Sequence, residues 1–129
     1  MNKKEKDSDL MAFVYVSNTP DVKSEPATVL SNWRIMQVWN LNASGKRTLH
    51  LTGSTPKTNG RVTTELVNCE MTRMQATTQS GRVYLLAGVA GDGKMAEIAI
   101  TVWLRGSSAI MKHRDVTLSY MRLRKIKQN

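Results

Sequence analysis

Gly88 and the pair Gly93-Lys94 stand at the spacing GxxxxGK in "GVAGDGK", the opening of a loop whose backbone amides cradle phosphate groups. An apolar run, "RVYLLAGV", leads into it. Such a loop also needs Ser or Thr after the lysine to hold a magnesium ion, and it must open a helix whose N-terminal amides face the phosphates. Position 95 is Met, and Ala96, Ile98, Ile100, Val102 and Leu104 face one way, with Glu97, Thr101 and Trp103 facing the other, in the period of a strand. "AGDGK" is therefore expected to be a hairpin turn, Asp92-Gly93 being a strong turn pair.

Other catalytic chemistry is thinner still. "HRD" at positions 113–115 shares three letters with a kinase catalytic loop but comes without the lysine strand, glycine-rich lid or metal aspartate that give it meaning. His50 and His113 are the only histidines and Cys69 the only cysteine. A Cys-His nucleophile would need two of them to meet in space, whereas a lone cysteine near a strand end is more often a small apolar filler. Beyond Leu30 the acids are Glu65, Glu70, Asp92, Glu97 and Asp115, too dispersed in sequence for a hard-ligand metal cluster. The expectation is a protein that is not an enzyme, with no catalytic residue, no metal and no cofactor.

What remains is the basic and aromatic set. The formal net charge is +9. Residues 1–30 carry four lysines against five acids, and the rest of the chain carries fifteen basic residues against five acids, so the excess belongs to the part that folds. Such a field attracts polyanions, although a solubility surface would look the same. Single-stranded nucleic acid is held by a positive groove with aromatic faces on which bases stack. Arg34, Arg47, Lys57, Arg61, Arg73, Arg82 and Arg105 are dispersed through the body of the chain, and Arg122, Arg124, Lys125 and Lys127 crowd its end. With a single Phe in the chain, at least two of Trp33, Trp39 and Trp103 are expected in the core. Trp103, beside Arg105, and Tyr84, beside Arg82, are the aromatic candidates for the surface.

The elements that must position these residues read as strands. "LMAFVYVSN" is a first strand, and residues 21–28 are a loop. In "TVLSNWRIMQVWNLN" Val29, Trp33, Ile35, Trp39 and Leu41 share one face, while Met36 and Val38 enrich the other, so burial on both sides is expected. "NASGK" turns into "RTLHLTG", and "STPKTNG" is the clearest loop, with Lys57 at its middle. "RVTTELVNCEMTRMQATT" continues in period two with a reversal near Asn68. "TNGRV" and "TQSGRV" echo one another and predict Arg61 and Arg82 together at one end of the sheet, a basic rim. A Gly106-Ser107-Ser108 break, an ambiguous "AIMKHR" and a last strand through "DVTLSYMRLRKIK" complete the chain.

Seven or eight short strands predict an all-β fold with little helix, a small antiparallel barrel or sandwich of OB-like or SH3-like type. Residues 1–9 are expected to be a flexible polar arm and residues 10–129 a single β domain with a basic C-terminal strand or tail. No apolar run approaches the ~20 residues of a membrane span, and the N-terminus does not resemble a secretory signal. One cysteine excludes an intrachain disulfide and fits a reducing compartment, by default the cytoplasm. The function expected is nucleic-acid binding, single-stranded DNA or RNA, through phosphate contacts. The alternative is a protein-interaction or assembly module that pairs an exposed sheet edge with a partner or a second copy, to which eight methionines would lend an adaptable surface.

Overall fold

A computed structural model of the chain describes residues 19–40, 46–105 and 111–128. The anticipated arm and first strand (residues 1–18), residues 42–45 of the "NASGK" turn and the Gly106–Ser108 break lie outside the described residues, as do the side chains of residues 40 and 123–128.

The spine is β1 (Ala27–Asn40). Along one edge it pairs antiparallel with β2 (Arg47–Ser54), which in turn carries β3 (Arg61–Val62). After β4 (Leu66–Glu70) and β5 (Gln75–Thr78), β6 (Val83–Leu86) lies parallel to residues 27–30 on the other edge of β1, and β7 (Met111–Asp115) lies antiparallel to residues 36–40. The sheet order is β3-β2-β1-β6-β5-β4, with β7 on β1. The fold is mostly β, as the alternation predicts, and has seven strands among the described residues. The parallel β1/β6 pair makes the sheet mixed rather than antiparallel, and its order does not close into a barrel among the described residues.

One residue in β1 decides which faces are buried. The β1/β2 register shifts between Ser31 and Arg34, and Asn32 there has φ 52°, a left-handed conformation that Asn tolerates better than most residues. An inserted residue reverses the in-and-out order. Leu30 therefore joins Trp33 and Ile35 in one core, and Val29, expected beside them, turns outward. The bulge also receives a loop at close range: a Cβ on Gly91 would sit 2.4 Å from the Asn32 carbonyl oxygen, so only glycine fits.

Two cores follow. Leu30, Trp33, Ile35, Leu51, Leu66, Tyr84 and Leu86 pack on one side of the sheet. On the other side Met36, Val38 and Val62 meet Ala96, Ala99 and Ile100. At Ile35 and Met36 β1 is thus buried on both faces, as Met36 and Val38 imply.

The chain from Asp92 onward departs from the expected hairpin and strand. Helix α1 (Gly93–Leu104) follows β6, and the Asp92 side chain caps it by accepting a hydrogen bond from Lys94 N at 2.8 Å. The apolar residues are so dense there that they satisfy period two and period 3.6 alike. Lys94, Glu97, Thr101 and Arg105, three to four residues apart, are the polar stripe that identifies a helix. The C-terminal order is likewise reversed: "MKHRD" is strand β7, and the expected last strand is helix α2 (Thr117–Gln128). Asp115 Oδ1 accepts from Thr117 N at 3.0 Å, and Tyr120 and Met121 pack on the first core. The reversal expected near Asn68 falls later, between β4 and β5, where Met74 is left-handed at φ 52°. Among the described residues no helix is long and apolar enough to cross a membrane.

Candidate nucleic-acid interface

The basic candidates separate into cations held by the fold and cations offered to solvent. Arg61 and Arg82 do meet, as their matching turns predict, but they meet inside the protein. Arg61 Nη1 donates to Glu25 Oε2 at 2.6 Å, and Arg82 Nε donates to the Glu25 carbonyl at 2.7 Å and lies 3.4 Å from the same carboxylate. A further bond joins Arg82 Nη2 to the Pro20 carbonyl. Both residues are only 3 % exposed. Burial opposes the charge on Arg61, yet pairing with Glu25 and Tyr84 raises its pKa above the ordinary arginine value. The pair fastens the Pro20–Glu25 segment to the sheet, and the expected basic rim is a buried clamp. Tyr84, expected at the surface, is buried beneath it because its strand partners Thr28 and Ala76 place it on the core side.

Arg34 is likewise engaged. Its Nε donates to Asp115 Oδ2 at 2.8 Å and its Nη1 to the Gly91 carbonyl, which ties β1 to β7 and to the loop before α1. Burial would raise the Asp115 pKa, but the hydrogen bonds from Arg34 and Thr117 outweigh it and hold the carboxyl below its usual range. Arg73 pairs with Glu70 at the surface. Lys57 is exposed in the β2–β3 loop, Arg105 at the end of α1 and Arg122 on α2. The side chains of Arg124, Lys125 and Lys127 lie outside the described residues.

The remaining candidate, Arg47, belongs to a group that the structure assembles across three strands. Trp39 of β1 is directly opposite Arg47 of β2 and Lys112 of β7, and Gln37 is directly opposite Leu49 and Arg114. Direct partners share a face with Cβ atoms about 5 Å apart, and successive same-face rows lie about 7 Å apart along the strand. The result is two adjacent rows, Lys112-Trp39-Arg47 and Arg114-Gln37-Leu49. Arg47 Cζ stands 4.9 Å from the Trp39 ring centroid, over its face. Arg114 Nη2 donates to Gln37 Oε1 at 3.1 Å. Arg47, Lys112 and Arg114 are exposed and Trp39 is half-buried.

None of these six positions is acidic. Strand alternation in "MKHRD" sends His113 and Asp115 to the opposite face, where they meet Glu97 of α1 and Arg34. Charge is thereby sorted through the sheet, paired on the helix side and, among the described residues, without an acidic partner on the Trp39 side. Of this group only Arg47 is among the residues expected at the interface. Trp39 falls to the core by the aromatic count, and Lys112 and Arg114 sit in a stretch whose alternation of Met, His and Asp with Lys and Arg is the signal for a strand.

Trp33 is fully buried and its Nε1 donates to the Gly88 carbonyl at 3.3 Å. Trp103 is 38 % exposed, as expected, and its ring lies 4.9 Å from His50 on the helix side. His50 bonds to Thr48 and to the Thr63 carbonyl, and burial lowers its pKa. Burial pushes the Cys69 thiol up to about 11, and its hydrogen-bond partner is the Met71 sulfur. Compared with known proteins, the chain matches no family model, no curated protein and no solved structure, so its own geometry carries the functional reading.

Proposed function

We propose that this chain is a non-enzymatic module that binds single-stranded nucleic acid across the β7-β1-β2 face. The observation that supports the reading is the transverse row Lys112-Trp39-Arg47 beside Arg114 and Gln37, an aromatic ring among three exposed cations with no acid in the two rows. A base stacks on Trp39 or on the outer plane of Arg47, while the cations contact the flanking phosphates. An α-helix in the major groove is how many proteins read duplex sequence. A sheet face with a half-buried ring suits unstacked bases instead. Phosphate contacts position the strand without reading it, so sequence preference is weak. A closed barrel is not needed for this mode, and the proposed setting is the cytoplasm.

Fluorescence anisotropy with labelled single- and double-stranded oligonucleotides at two salt concentrations tests the proposal. Three phosphate contacts give a slope of log K against log salt of about −2 for a single strand. Absence of binding to any oligonucleotide at low salt removes the proposal.

One observation favours an assembly surface as the second reading. Val29 and Leu85, cross-strand partners on β1 and β6, are each 43 % exposed, and Val67 on the edge strand β4 is 62 % exposed. Light scattering decides it: a stable oligomer without salt-sensitive nucleic-acid affinity would put this reading first.

A further inference from the structure

On the helix side of the sheet, remote from the Trp39 face, β2 and the start of α1 enclose a cavity of about 310 Å³. This is the low end of the range for small-molecule sites. Its apolar wall is Met95, Ala96 and Ala99 of α1. Asn32 at the bulge, Ser54, Asn59 and Asp92 bring polar groups to it.

Thr52 supplies the independent mark of a ligand. It lines the cavity, is only 1 % exposed, and its hydroxyl has no hydrogen-bond partner among the described residues. Thr52 is the strand partner of Arg34, whose guanidinium reaches Asp115 and the loop before α1, so its side chain is on the sheet face that fronts the helix. A buried hydroxyl without a partner is destabilising, and a donor or acceptor entering the cavity would relieve it.

The strand, glycine-bearing loop and helix here have the order of a phosphate cradle, but the electrostatics are opposite. Asp92 places a carboxylate at the helix N-terminus and already occupies the Lys94 amide. Among the described residues no lysine or arginine lines the cavity. Phosphate is therefore disfavoured, and an uncharged molecule with apolar faces and both donors and acceptors at its edge fits. The Met95 thioether suits an aromatic ring.

We propose that this cavity binds an uncharged nucleobase or nucleoside and excludes nucleotides. It is a second site, independent of the cationic sheet face. Amide chemical-shift mapping of the full chain with adenosine, cytidine and uridine, and with AMP as the charged counterpart, tests the proposal. At least one nucleoside shifts the amides of Thr52, Met95, Ala96 and Ala99, and the matching nucleotide binds at least about tenfold more weakly, as expected for a phosphate brought beside a carboxylate without a cation. Thr52→Val then gives two opposed effects: nucleoside affinity falls by about fivefold to tenfold, and the melting temperature of the free protein rises because the orphan hydroxyl is gone. Ala96→Leu, which fills the cavity, abolishes binding.

Three results would overturn the inference. One is that no nucleoside moves those amides at millimolar concentration. Another is that AMP binds as well as adenosine. The third is a Thr52→Val protein that melts lower than the parent, since its hydroxyl would then already be satisfied.

Discussion

Replacing Glu25 by Gln separates the cations that build the fold from those that face solvent. In the parent protein one carboxylate, 18 % exposed, serves two guanidinium groups that are 3 % and 4 % exposed. Removing one partner of a buried pair costs about 3–5 kcal/mol, because a charge is left without compensation. Gln keeps one carbonyl acceptor, and Arg82 keeps the backbone carbonyls of Pro20 and Glu25. These place the effect at the lower end, about 3 kcal/mol. For a chain of 129 residues, each kcal/mol moves the melting temperature by about 4 °C, so Glu25→Gln lowers it by about 12 °C. Circular dichroism at pH 7, followed by urea denaturation to confirm an unchanged m-value, measures it. Below the lowered melting point, oligonucleotide affinity stays at the parent value, since Arg61 and Arg82 do not face solvent. A shift under about 3 °C would refute the clamp and return both arginines to the pool of available cations.

Other consequences are as direct. Trp39→Ala weakens single-strand binding by about 1–3 kcal/mol in anisotropy titrations, whereas Trp103→Ala, on the helix side, leaves affinity unchanged. Asp92→Ala removes the cap of α1 and costs about 1 kcal/mol in urea denaturation. Because burial lowers the His50 pKa, its contribution to stability is complete above the unfolded value of about 6.5 and is lost as pH falls from there through the folded value. Asp115, also lowered, adds a further loss below about pH 4, which Asp115→Asn reduces in chemical denaturation across this range.

Where residues of one kind alternate cleanly, the fold is legible from the chain. "RTLHLTG" is strand β2, "STPKTNG" is the loop after it, and Met36 with Val38 announces the second core. Legibility ends where pattern and geometry part. The Asn32 bulge shifts parity without any mark beyond an asparagine in a strand, so Val29 and Leu30 exchange faces. In α1 nearly every position is apolar, and the deciding period belongs to its few polar residues. Charge count finds basic residues but not their partners. Glu25, distant in sequence and followed by Pro26, turns Arg61 and Arg82 inward. Conversely, the Trp39 row exists because β1 is flanked by both β2 and β7, a pairing between segments more than seventy residues apart that no local pattern encodes.

The most direct measurement is the salt dependence of single-strand affinity for the parent protein and for the triple variant Arg47→Ala, Lys112→Ala, Arg114→Ala. The parent is expected to show a slope near −2, and the variant a slope near zero with affinity lost at low salt. A variant that kept the parent's slope and affinity would contradict the assignment of the β7-β1-β2 face.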